Sequence, residues 1–96
     1  MKFSWDSNKE LENKNKHGVS FSEAKSVFYD ERAKIINDPD HSDVSEERFI
    51  IMGISSEFRI LMVCHCYRDD DEIIRIISAR KANKAEKSFY KGKEHA

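Results

Sequence analysis

The chain has 96 residues, 39% of them hydrophobic and 36% charged, and a formal net charge of −1, which fits one small domain over 1–96 and leaves no room for a second. Its longest apolar run, Phe49 to Ile54, is far short of the about 20 residues a membrane helix needs. No apolar stretch of signal-peptide length follows Met1 and Lys2, so a cytoplasmic location without membrane contact is expected. The near-neutral total hides an asymmetry: +1 over residues 1–18, −7 over 19–74 and +5 over 75–96. A basic last quarter on an acidic body suits an anionic partner such as RNA phosphate, and it equally suits a solvated lysine-rich helix.

Lys2 to Trp5 alternates polar and apolar residues, with Phe3 and Trp5 on one face of a short first strand. Ser7 and Glu10 have capping-box spacing and Gly18 is a natural stop, which predicts a helix between them, with Asp6 adding negative charge near its start. Ser20 and Glu23 repeat the spacing. Phe21, Ala24, Val27 and Phe28 then give a short amphipathic helix ending near Asp30, and the two helices are expected to pack on something flat. Ala33 to Asn37 reads as a strand, and Asp38-Pro39-Asp40-His41-Ser42-Asp43 as a polar loop. Glu47 to Ile54, Arg59 to Tyr67 and Glu72 to Ser78 read as three strands of an antiparallel meander. Ile50 to Met52 and Ile60 to Val63 run without alternation, so both faces of the central strands should be covered. A final helix is expected over about 82–93, with Ala82, Ala85 and Phe89 as its apolar stripe. The order β-α-α-β-β-β-β-α makes an α+β domain, mainly an antiparallel sheet with helices packed on it.

Cys64-His65-Cys66 has metal-ligand residue types but the wrong spacing. On a strand the cysteines share one face and His65 takes the other, no second cysteine pair completes a tetrahedron, and residues i and i+2 of a strand are poorly placed for a disulfide. Buried thiols are the expectation. His65 is a candidate general acid or base as well as a candidate structural histidine; His41 and His95 are expected to be solvated. Arg68, Arg75, Arg80 and Lys81 lie on or beside the last two strands, where guanidinium groups match phosphate oxygens. With Asp69-Asp70 as a two-residue hairpin turn, Cys64 would face Arg75, and Arg68 and Arg75 would share one face while His65, Ser78 and Arg80 share the other. One pocket then holds them all only if a bulge or register shift redirects some. The plainer role for these arginines is neutralising Asp69-Asp70-Asp71-Glu72.

Two stretches carry a resemblance. The first is Trp5-Asp6, Lys9, Asn13 and Lys16-His17-Gly18-Val19-Ser20-Phe21 with Ala24 and Val27-Phe28. The second is Asp38 to Ser42, Glu47-Arg48, Gly53, His65-Cys66-Tyr67-Arg68 and Arg75-Ile76-Ile77-Ser78-Ala79-Arg80-Lys81-Ala82 with Glu86 and Tyr90. Together they resemble the BrnT family of type II toxins across Trp5 to Tyr90. The resemblance implies a RelE-like fold, a ribonuclease that needs no metal or other cofactor and stops translation, and a BrnA-like ribbon-helix-helix antitoxin through which any DNA contact is made. It also implies a hetero-oligomeric complex. Arg68, Arg75 and Arg80 are carried over as catalytic phosphate-holding groups and His65 as the proton-transfer candidate; Arg48, Ser78, Lys81 and Tyr90 are carried over as RNA-binding candidates. Cys66 stands where the family often has Thr, and Lys87 where it usually has Arg. The contrasting reading is a non-catalytic module that complexes a DNA-binding antitoxin and helps repress an operon.

Overall fold

A computed structural model describes residues 1–38 and 46–92. The expected loop beyond Asp38, with His41, and the stretch after Gly92, with Lys93 and His95, lie outside the described residues. The chain runs β1 (Lys2–Ser4), α1 (Ser7–His17), α2 (Phe21–Ser26), a 3-10 turn (Val27–Tyr29), β2 (Lys34–Asn37), β3 (Phe49–Ile54), β4 (Ile60–Arg68), β5 (Ile73–Lys81) and α3 (Lys84–Gly92). The strands form one mixed sheet in the order β1-β5-β4-β3-β2, antiparallel except for the parallel β1–β5 pair. The element order is the one the sequence implies.

Local chemistry explains most boundaries. Asp6, rather than Ser7, caps α1, its carboxylate accepting from the backbone N–H groups of Asn8 and Lys9 at 2.7 and 3.3 Å. Glu10 is thereby released from a capping box and accepts instead from the N–H of Phe21 at 2.9 Å, tying the start of α2 to α1. Gly18 ends α1 at φ 69°, a conformation that favours glycine, and its N–H donates to the Lys14 carbonyl. Ser20 caps α2 as its spacing predicts, accepting from the N–H of Glu23.

One face of the sheet is closed by α2 and the 3-10 turn, while α1 lies against β5. Val19, Phe21, Ala24 and Val27 pack there on Ile51, Leu61, Val63, Ile76 and Ala79. On the other face α3 covers only one end, where Met52, Ile60, Met62, Ala82 and Tyr90 form a smaller cluster. The central strands are therefore covered on both sides, as their unbroken apolar runs require. The stripe of α3 differs from expectation. Tyr90 is the residue buried, while Phe89 is 57% exposed with the Lys34 ammonium 4.4 Å above its ring. The buried Tyr90 hydroxyl is satisfied by donating to Asp30.

The β4–β5 register is the main departure. The turn takes Asp69 to Glu72, with Asp69, Asp70 and Asp71 all at positive φ, so Arg68 pairs with Ile73 and Cys66 with Arg75. The register then shifts: His65 pairs with Ile76 but Cys64 with Ser78, leaving Ile77 as the extra residue of a bulge.

Because β1 pairs with β5 only as far as Arg75, the edge of β5 beyond it needs other partners. Asn13 of α1, 6% exposed, supplies them. Its amide donates to the carbonyls of Ala79 and Val19 at 2.8 and 2.9 Å and accepts from the Ala79 N–H at 3.0 Å. Asn13→Ala strands these buried backbone groups, and we expect a loss of about 2 to 3 kcal/mol in urea-induced unfolding, read as a lower midpoint with unchanged slope.

Candidate functional site

The bulge decides which side chains meet. Arg75 and Arg80 are five residues apart, an odd spacing that puts side chains on opposite faces of a regular strand. One extra residue reverses the alternation. In the observed register Arg80 lies opposite Met62, Ser78 opposite Cys64, and Arg75 opposite Cys66, so all three share the face of Arg68. His65, expected beside Ser78 and Arg80, is on the other face with Val63 and Tyr67, because the shift falls between it and Cys64. The expected pairing of Cys64 with Arg75 is likewise replaced.

The shared face is left open beside α3 and holds two adjoining hollows. One, of about 290 Å³, is lined by His17, Asp38, Arg48, Cys64, Ser78 and Arg80 with apolar flanks from Ile50, Met62 and Ile77. The other, of about 190 Å³, is lined by Asp6, Lys9, Glu46, Arg48, Arg68 and Arg75. Arg48 and Ile77 line both, and the two hollows together are described as one cationic groove across the sheet.

Carboxylates hold two of its arginines in place. Arg80 makes a two-pronged ion pair with Glu86, both N–O distances 2.8 Å. Glu86 also closes a capping box on α3, accepting from the Asn83 N–H while its own N–H donates to the Asn83 side chain, each at 2.8 Å. The Arg80 hydrogen bonds carry the Glu86 carboxyl down to about 2 against burial, which pushes the other way. Arg68 reaches Glu46 at 2.7 Å rather than the acidic turn, and Arg48 approaches the same carboxylate at 3.4 Å. The Cys66 thiol, hydrogen-bonded to Glu46, and the two arginines together hold that carboxyl below its ordinary value. Among the described residues Arg75 makes one side-chain hydrogen bond, to Ser4 Oγ at 3.4 Å, and no carboxylate pairs with its guanidinium.

The other candidates lie elsewhere. His65 is fully buried against Phe28, Phe49 and Tyr67. The Val63 carbonyl, 3.1 Å from Nδ1, can only accept, so Nδ1 carries the proton and Nε2 accepts from the Tyr67 hydroxyl at 3.3 Å. Burial lowers the pKa of His65, outweighing the Val63 hydrogen bond that raises it. Tyr90, 9% exposed, offers no ring face to a base; its hydroxyl donates to Asp30 at 2.5 Å, and burial together with that carboxylate pushes it up to about 12. Lys81 turns away from Arg80 and lines a separate basic hollow with Arg59, Lys87 and Lys91 beside the exposed Phe58. Cys64 and Cys66 share the groove face as strand alternation requires, and burial first, then Asp38, raises the Cys64 thiol to about 11.

A mixed sheet with helices on both faces and arginines convergent on one of them defines a small α+β protein with a cationic groove. The chain belongs to the family of BrnT ribonuclease toxins of type II toxin-antitoxin systems, whose sequence model matches residues 5–86. The crystal structure of the ribonuclease toxin BrnT from Brucella abortus has the same fold, with a TM-score of 0.65 and 24% identity, over 88% of this chain and 99% of that one. No curated protein matches the chain. Membership of a type II toxin-antitoxin family implies an antitoxin partner.

The Arg80–Glu86 pair gives a pH test. The folded-state carboxyl lies below its ordinary value of 4.5, so its contribution to stability is complete above about 4.5 and is lost as pH falls toward about 2. Glu86→Gln should melt a few degrees below the parent protein at pH 7, and the gap should close across that window in thermal scans.

Proposed function

We propose that this protein is an mRNA-directed endoribonuclease that arrests translation in the cytoplasm and is held inactive by a BrnA-like ribbon-helix-helix antitoxin in a hetero-oligomeric complex. The observation that carries this reading is the bulge at Ile77, which brings Arg68, Arg75, Ser78 and Arg80 onto the open face that also holds Arg48. In the reaction the ribose 2′-hydroxyl attacks the adjacent phosphate, and the rate depends on stabilising the charge that builds on the phosphoryl oxygens. Arg75 and Arg80 are the catalytic groups at that phosphate. Arg68 and Arg48 hold neighbouring phosphates, and Ser78 orients the strand between them. Lys81 takes the outgoing backbone toward the second basic hollow. No metal takes part in this scheme. His65, sealed on the opposite face, acts through Tyr67 and the surrounding rings by fixing the pairing next to the bulge. Tyr90 contributes by seating α3, whose Glu86 orients Arg80.

A second reading rests on the two internal ion pairs. Because Arg68 and Arg80 are already matched by Glu46 and Glu86, the groove can also be read as a non-catalytic docking face for the antitoxin, with DNA bound only through that partner.

The test is an arginine scan read three ways. Arg75→Ala and Arg80→Ala should slow cleavage of a labelled RNA by about 100-fold or more and abolish growth arrest on expression, while each keeps its affinity for the antitoxin within a few fold. Purified protein that leaves RNA intact, with the arginine variants losing antitoxin affinity instead, sinks the nuclease reading and establishes the docking one.

A further inference from the structure

With His65 buried on the far face, the groove contains one imidazole among the described residues, and it comes from a different element. His17 is the last residue of α1, half-buried, and lines the same 290 Å³ hollow as Arg48, Ser78 and Arg80. It is held there from three directions. Asn13, one turn earlier, is bonded to both backbone groups of Ala79, the residue between Ser78 and Arg80. Gly18, the next residue, turns the chain away in the left-handed conformation, and its carbonyl accepts from the Arg59 guanidinium at 3.1 Å. The end of α1 is thus pinned to β5 at the level of the arginines. No hydrogen bond within the described residues occupies the His17 ring, so both its nitrogens remain available to a ligand in the hollow.

We infer that His17, rather than His65, is the proton-transfer residue of this groove; the inference rests on the nuclease reading above. An imidazole exchanges protons near neutrality, and a base must lie within reach of the proton it removes. With the scissile phosphate at Arg80 in this hollow, the ring accepts the proton of the adjoining 2′-hydroxyl. The 2′-oxygen forms a bond to phosphorus, and the bond from phosphorus to the 5′-oxygen breaks with its electron pair on that oxygen. Water supplies the proton that makes the leaving group a 5′-hydroxyl, His17 releases its own to solvent, and the other product is a 2′,3′-cyclic phosphate. The titratable and charged groups that line the hollow with the ring are Asp38, Arg48, Cys64 and Arg80.

The experiment is single-turnover cleavage of a labelled RNA across pH by the parent protein, His17→Ala and His17→Gln. Affinity for the same RNA carrying 2′-O-methyl groups and the melting temperature are measured alongside. Both variants should cleave about 100-fold or more slowly, lose the acid limb of the rate profile, bind the methylated RNA within about twofold of the parent and melt within a few degrees of it; added imidazole should restore part of the rate to His17→Ala. Variants that keep the parent rate and profile, or that lose RNA affinity while the bound rate is unchanged, overturn the assignment and leave the nuclease reading standing. A parent protein that leaves RNA intact overturns both.

Discussion

One extra residue in one strand organises this protein. Ile77 has no partner in β4, and the register shift it makes opposite Cys64 and His65 turns an odd spacing into an even one. Without it, a regular ladder would bury either Arg75 or Arg80 under α2 and the 3-10 turn, where a guanidinium without a partner is far too costly. With it, the apolar alternates Ile74, Ile76 and Ala79 face the larger core, and the cationic alternates face the open side. The bulge therefore reconciles the core with the site.

The open side exists because the two faces of the sheet are covered unequally. Over the sheet strands the larger core takes its side chains from β1, α2 and the 3-10 turn, whereas α3 is short and covers only the end near Ile60 and Met62. Among the described residues three polar contacts fix α3: Tyr90 to Asp30, Glu86 to Arg80, and the Lys34 ammonium to the Phe89 carbonyl. Asp30 does double service, since the same carboxylate oxygen accepts from the Ile54 N–H at 2.8 Å. The helix that closes the second core thus also sets the direction of a groove arginine, so core stability and the geometry of the site are coupled through one carboxylate.

The basic last quarter is divided by the end of β5. Arg75 and Arg80 turn into the groove. Lys81, Lys87 and Lys91 gather on the other side with Arg59, which also anchors Glu23 in a network with Ser55. In the groove itself the cations are offset by Glu46 and Glu86, so the patch there is a set of positioned guanidiniums rather than a bare excess of charge. Fixed orientation is what a bidentate phosphate contact requires.

Capping residues, turn signals and hydrophobic periodicity were enough to read the elements and their order, because each is written within a few neighbouring residues: Ser20 before α2, Gly18 after α1, and the unbroken apolar runs of β3 and β4. Arg68, Arg75, Ser78 and Arg80, singled out by residue type, all stand on the groove face, and Arg48 lines both hollows. The sequence by itself could not show which of them meet. A strand pattern gives alternation but not the place where it skips, and the bulge at Ile77 has no local signature where isoleucine pairs flank Arg75 on both sides. Nor does a helix pattern tell which distant edge Asn13 will complete, and so which strand His17 will stand beside. These were decided by long-range pairing: a buried Ala79 backbone that needs hydrogen bonds, and arginines that must stay out of the core.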